Sequence, residues 1–300
     1  MTIVRGNENY GYSELLAHIA RLEEKYPFIR TDTIGTSVMG RRIPVVRLGT
    51  GEHHIHFNGA FHANEWITSL LLMKFVEDYA DAYAAGTLLR GCDMNERFRQ
   101  TSLWIVPMVN PDGVELALKG LEGIGQDHPQ YTQLLEWNSG SHDFSGWKAN
   151  LRGVDLNDQF PAHWETEKER REVPGPGPRD YTGESPLCEP EARAMAEFTR
   201  RHPFRLVMAF HTQGKEIYWN YRDMEPAEAE TMANRFGAVS RYLPVKLTDS
   251  DAGYKDWFIQ EFRKPGFTIE AGFGVNPLPI DQFPSIYEDV AGLMLEALVV

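Results

Sequence analysis

Residues 57 to 66, Phe57-Asn58-Gly59-Ala60-Phe61-His62-Ala63-Asn64-Glu65-Trp66, place a histidine and a glutamate three positions apart where an apolar strand runs into a helix. Before the pair, Ile55 and Phe57 alternate with His54 and His56 at strand period. After it, Leu70, Leu71, Met73, Phe75, Val76 and Tyr79 follow a helical pattern. The pair therefore sits at a strand-to-helix corner, the position where side chains converge on a pocket in open α/β sheets. With ten histidines in a glutamate-rich chain of 300 residues, about one such spacing arises by chance. Only the surrounding residues can give it meaning.

The chain has the length and the 42% hydrophobic content to bury a large core. No linker, repeat or low-complexity tract divides it, and the richest Pro/Gly run, Val173-Pro174-Gly175-Pro176-Gly177-Pro178, reads as a surface excursion within one domain spanning residues 1 to 300. A formal charge of −13 opposes binding to nucleic acid and adhesion to anionic membranes. The first residues lack an apolar signal-like segment and no run approaches the ~20 apolar residues of a membrane span, so a cytoplasmic location is expected. Cys92 and Cys188 read as structural thiols.

Along the chain, Ser13 to Tyr26 reads as an amphipathic helix stopped by Pro27. Probable strands follow at 33–37, 43–49 and 54–57. Thr101 to Val109 is a nearly continuous apolar run ending in Asn110-Pro111-Asp112-Gly113, a turn signal. Glu189-Pro190-Glu191 opens another helix. Phe204 to Phe210 and Phe267 to Glu270 are two more buried strands, the first with His211 at its carboxyl end and the second ending on Glu270. Helices alternating with buried strands predict an α/β/α sandwich on a mixed, mostly parallel sheet.

Three strand ends thus carry His62 with Glu65, His211, and Glu270. Two histidines and one carboxylate around an open fourth position are the composition of a hydrolytic zinc site, in which the residual positive charge lowers the pKa of a bound water toward ~7 and polarises a scissile carbonyl. A further carboxylate must then carry the proton from water to the leaving nitrogen. His54 and His56 share one strand face and read as ordinary polar-face residues. His18, His53, His128, His142, His163 and His202 stand in no motif.

In this order, His62-x-x-Glu65, Asn-Pro-Asp-Gly at 110–113, Gly-Val-Asp-Leu-Asn at 153–157, Phe-His at 210–211 and Thr-Ile-Glu at 268–270 resemble the zinc carboxypeptidase family over residues 10 to 300. The resemblance implies an eight-stranded mixed sheet between helices and one zinc ion per chain on His62, Glu65 and His211. It further implies Glu270 as general base and acid, and Asp155 as the carboxylate that orients His62, although Asp155 also suits a turn cap. Residues 210–219, 254–258 and 270–279 look like the bacterial branch that cuts γ-D-glutamyl-diaminopimelate bonds in cell-wall peptides, which makes a peptide the expected partner.

Four departures from the family pattern bear on specificity. Asn157, half of the pair that clamps a terminal carboxylate, is followed by Asp158 instead of arginine, so repulsion of that carboxylate and endopeptidase behaviour are expected. Lys148 replaces the arginine that holds the oxyanion, with Arg152 as competitor. The tyrosine that closes over substrate is matched by Thr248, with Tyr254 nearby. Lys255 falls at the floor of the side-chain pocket, where it would favour an anionic group such as the distal carboxylate of meso-diaminopimelate, although a solvated helix position is the alternative. The other functional readings are an amidohydrolase releasing acyl groups from N-acyl amino acids, a conventional metallocarboxypeptidase, and a peptide-binding module without catalysis.

Overall fold

The β-branched and aromatic residues of the apolar runs assemble into one eight-stranded sheet in a computed structural model that describes residues 2–125 and 128–300. In chain order the strands are β1 (Arg30–Thr36), β2 (Arg42–Leu48), β3 (His53–Gly59), the short pair β4 (Leu88–Leu89) and β5 (Cys92–Asp93), β6 (Thr101–Val106), β7 (Leu206–His211), β8 (Glu216–Tyr218), β9 (Leu243–Val245) and β10 (Gly266–Glu270). The helices are α1 (Tyr12–Lys25), α2 (Ile67–Ala85), α3 (Met94–Gln100), α4 (Pro111–Lys119), α5 (Tyr131–Trp137), α6 (Trp164–Arg171), α7 (Pro190–Arg200), α8 (Glu228–Ser240), α9 (Tyr254–Phe262) and α10 (Phe283–Ala297).

The sheet order is β1-β2-β6-β3-β7-β10-β8-β9, while β4 and β5 pair with each other alone. The middle four strands, β6, β3, β7 and β10, run parallel, and β1, β2 and β8 join antiparallel. Both faces are covered. On β7, Leu206, Met208 and Phe210 enter the core beneath α1, α2 and α10, while Val207 and Ala209 pack with α7 and α9 on the other side. This two-sided burial explains why these strands read as continuous apolar runs instead of alternating ones.

Element boundaries shift by a few residues from those expected, and one reading changes in kind. Asn110-Pro111-Asp112-Gly113 is a helix start, not a reverse turn. Asn110 Oδ1 accepts the Gly113 N–H at 3.0 Å as the cap of α4, with Pro111 in the first turn. The Asn110 amide donates to Phe61 O and Ala149 O, each at 3.1 Å, and so ties the 57–66 corner to the segment that carries Lys148. Parallel pairing sets Gly59 beside Phe210 and His211 beside Glu270, which brings the carboxyl ends of β3, β7 and β10 together. Among the described residues no helix is long and apolar enough to cross a membrane.

Candidate metal centre and active site

The corner after β3 is held by its own short-range bonds. Thr68 Oγ1 donates to Glu65 O and accepts from Ala60 N–H, both at 2.8 Å, and Ala63 N–H donates to Lys148 O at 3.0 Å. His62 is extended, with φ −91° and ψ 132°, and a single 3₁₀ turn at Ala63–Glu65 swings Glu65 back to the same side before α2 begins. A strand end cannot bring residues three apart together, but this turn does. His62 Nδ1 lies 2.9 Å from Glu65 Oε1, and His211 Nδ1 lies 3.0 Å from Glu65 Oε2 and 3.1 Å from His62 Nδ1.

Among the described residues, these three side chains form the group of histidine and carboxylate atoms close enough to hold a metal ion. The donor set fits zinc. Tetrahedral ligands with bonds of about 2.0 to 2.1 Å stand roughly 3.3 Å apart, near the separations observed. Two imidazole Nδ1 atoms facing each other leave a lone pair unanswered unless a cation or proton joins them. All three residues are buried, so that demand cannot be met by bulk water. Burial works against a charged His62, but the Glu65 carboxylate prevails and lifts it to about 9. Burial likewise opposes ionised Glu65, yet His62 and His211 hold it at about 2.

Glu65 is further held by Thr212 N–H at 3.3 Å and by the Asn276 amide at 3.2 Å, which also donates to Thr212 O at 2.8 Å. Asp155 is fully buried between two partners, with Oδ1 3.1 Å from His62 Nε2 and Oδ2 2.7 Å from Lys148 Nζ. It also accepts the Asn157 N–H at 3.1 Å, so the orienting and capping roles coexist in one carboxylate. The Lys148 ammonium reaches Asp180 at 3.4 Å. With three N–H donors and two carboxylates, it retains one donor for a ligand. His62, Glu65, Lys148 and Glu270 line one cavity of about 380 Å³ together with Asn64, Arg179, Thr212, Gln213 and residues 274–276. Burial, reinforced by the Glu65 carboxylate, pushes the Glu270 carboxyl up to about 8.

Other expected site residues are placed elsewhere. Arg152 lies on a separate depression, 3.7 Å from Glu189, which leaves Lys148 as the cation in the cavity from that pair. Tyr254 is fully buried, its hydroxyl 2.8 Å from Thr199 Oγ1 and its ring against Phe61 and Phe160, so the expectation that it binds substrate is corrected. Thr248 is exposed on the loop after β9 and outside the cavity lining. Lys255 is buried on α9, where Asn220 O at 2.7 Å and Asp256 take its ammonium, so it presents no bare cation to the cavity. Asn157 spends its side-chain oxygen on Tyr254 N–H at 3.3 Å. Asp158 is not a bare anion: the Arg171 guanidinium grips it with Nε at 2.8 Å and Nη2 at 3.1 Å. Position 158 thus presents a carboxylate paired with a guanidinium in place of the unpaired anion expected.

The residues that were missed, Asn276, Arg171 and Arg179, had weak signals in the sequence. Asn276 stood inside a stretch already matched at 276–279. Arg171 and Arg179 flank the Pro/Gly run that reads as a surface excursion, yet this run is pinned to the site. Pro178 O accepts from Lys148 N and Ala149 N, and Gly177 N donates to Gly153 O at 3.0 Å. Gly153 makes that approach possible, since at φ +70° a Cβ would meet Gly177 N at 2.7 Å.

The fold and the triad define a metal-dependent hydrolase built on a carboxypeptidase-like α/β/α sandwich. Residues 15–290 match the zinc carboxypeptidase family, and the chain belongs to that family of zinc-dependent peptide-bond hydrolases. It is 49% identical over 296 residues to γ-D-glutamyl-L-diamino acid endopeptidase 1 of Lysinibacillus sphaericus, covering 99% of this chain and 74% of the relative. Among solved structures it resembles bovine thrombin-activatable fibrinolysis inhibitor in complex with tick carboxypeptidase inhibitor, with TM-score 0.76, 18% identity, and 98% and 97% of the two chains covered. The murein-tripeptide amidase of Escherichia coli O157 shares the fold at TM-score 0.54 and 20% identity over 89% and 91% of the chains.

Proposed function

We propose that this chain, a single catalytic domain over residues 1–300, hydrolyses the bond between γ-D-glutamate and a diamino acid, meso-diaminopimelate in particular, in peptides derived from the bacterial cell wall. The observation that carries the reading is the 49% identity across nearly the whole chain to an endopeptidase named for that bond. Position 158 supports it, because a carboxylate matched to Arg171 offers no clamp for a chain end.

His62 Nδ1, Glu65 and His211 Nδ1 would hold one zinc ion, which would supply Lewis acidity and lower the pKa of an attacking water. Glu270, lining the same cavity as His62 and Glu65, would take the proton from the attacking water at its carboxylate and return it to the leaving nitrogen. Lys148 points its spare N–H at the scissile carbonyl oxygen as charge grows there. Asp155 keeps His62 on its Nδ1 face and Lys148 in place through its two oxygens. A cytoplasmic setting, with soluble wall peptides as substrate, belongs to the same proposal. Two free thiols, Cys92 and Cys188, accord with it.

The test incubates purified enzyme with L-Ala-γ-D-Glu-meso-diaminopimelate and its D-Ala-extended form and reads the products by mass spectrometry. Cleavage of the γ-D-glutamyl bond in both, lost on chelation and restored by zinc, is expected. Glu270→Gln should bind zinc like wild type while losing about 10²- to 10⁴-fold in turnover. Release of D-Ala alone, or of acyl groups from simple N-acyl amino acids in preference to either peptide, would refute the proposal.

A further inference from the structure

Arg179 is exposed and lines the cavity with His62, Glu65, Lys148 and Glu270. The other cations around the site are already matched: Arg171 to Asp158 and Glu167, Arg170 to Asp251, Lys148 to Asp155, and Lys255 to Asp256. Arg179 has no ion-pair partner among the described residues. Its neighbour Asp180 faces Lys148 and Arg171.

The backbone that presents Arg179 is fixed on both sides. Gly177 N–H donates to Gly153 O at 3.0 Å, Pro178 O accepts from Lys148 and Ala149 at 2.9 and 3.0 Å, and Tyr181 O accepts from Asp155 N–H at 2.8 Å. These contacts lock Arg179 to the segment that carries Lys148 and Asp155. An arginine held on a stiff segment, with its guanidinium unspent and facing a reaction cavity, is built to receive a planar anion.

We propose that Arg179 is a specificity residue that binds the free α-carboxylate of the γ-D-glutamyl residue. This rests on the γ-glutamyl reading above. In a γ-linked glutamate the scissile carbonyl is the side-chain carbonyl, so the α-carboxylate remains ionised, three carbons away on the acyl side. Lys148 marks the side of the cavity that holds the carbonyl oxygen, and Arg179 stands on the segment bonded directly to it. An α-linked peptide puts no obligatory anion there. Arg179 thus selects the linkage itself, whichever diamino acid follows.

The experiment titrates zinc-loaded enzyme with the acyl product L-Ala-γ-D-Glu and with its α-amide, in wild type, Arg179→Gln and Arg179→Lys, alongside kinetics on the tripeptide. Wild type should bind the carboxylate form on the order of tenfold to a hundredfold tighter than the amide. Arg179→Gln should abolish that ratio by weakening the carboxylate form alone, and should raise KM by a similar factor with kcat within about threefold. Arg179→Lys should restore part of the ratio. A ratio unchanged in Arg179→Gln, equal weakening of both ligands, or wild type binding neither dipeptide would overturn the inference. Wild type that discriminates through Arg179 yet leaves the γ-glutamyl bond intact would uphold the inference and refute the activity.

Discussion

Asp155→Asn isolates what the buried carboxylate behind the triad contributes. Asparagine keeps the size of the side chain and is as good a helix cap as aspartate, so the 3₁₀ turn at Leu156–Asp158 and the fold should survive. What it cannot keep is two accepting faces. Asp155 serves His62 Nε2 at 3.1 Å through one oxygen and Lys148 Nζ at 2.7 Å through the other. With His62 Nδ1 turned to the triad, Nε2 carries the hydrogen, so both neighbours are donors. Asparagine has one oxygen and one NH₂, and in either orientation a donor meets a donor. If His62 loses its partner, zinc affinity should fall ten- to hundredfold, the usual cost of removing the group that orients a ligating histidine. That corresponds to about 1.4 to 2.7 kcal/mol less stabilisation by zinc. If Lys148 loses its partner, the ammonium turns to Asp180, now 3.4 Å away, and kcat/KM at saturating zinc should drop about tenfold or more. Competition with a chromophoric chelator measures the first effect, thermal unfolding with and without zinc checks it, and turnover in excess zinc measures the second. Zinc affinity within twofold of wild type together with kcat/KM within threefold would refute the reasoning.

Two further outcomes follow from groups outside the cavity. Lys255→Met strips Asp256 and Asn220 O of a buried ammonium and should destabilise the protein by roughly 3 to 5 kcal/mol in urea unfolding, while leaving the preference between diaminopimelate and lysine peptides unchanged; a changed preference at unchanged stability would return Lys255 to the substrate pocket. Glu191 is fully buried, accepting Val38 N–H at 3.1 Å and sharing the Asn150 amide with Glu189, and burial pushes its carboxyl up to about 7. Between its ordinary value of 4.5 and about 7 the folded chain holds a proton that the unfolded chain releases, so stability falls as pH rises through that window. From pH 5 to 8, wild type should lose up to about 3 kcal/mol relative to Glu191→Gln, which cannot ionise, and parallel unfolding profiles for the two proteins would sink this assignment.

The local signals in this chain were legible because each is written within a few consecutive residues. Ile55 and Phe57 before His62, and the apolar runs ending at His211 and Glu270, identify strands buried on both faces. Their carboxyl ends then meet because parallel neighbours in a sheet share one direction. The triad follows from that geometry and the His-x-x-Glu spacing, with the 3₁₀ turn as the one added detail. Asn110 was misread because asparagine before proline signals a turn and a helix cap equally well, and only the Gly113 N–H behind it decides. The charges around the centre were beyond the sequence for a different reason. Asp158 and Lys255 stand at positions the family pattern marks and Tyr254 lies near one, but what each does depends on Arg171, Asn220 and Thr199, brought from other elements. Arg179 became visible only once the Pro/Gly run was seen bonded to Gly153 and Lys148. Periodicity determines which face of an element is buried. Whether a charge on that face stays free for a ligand is decided by which partner the packing of distant segments delivers, since a buried charge without a partner is too costly to keep.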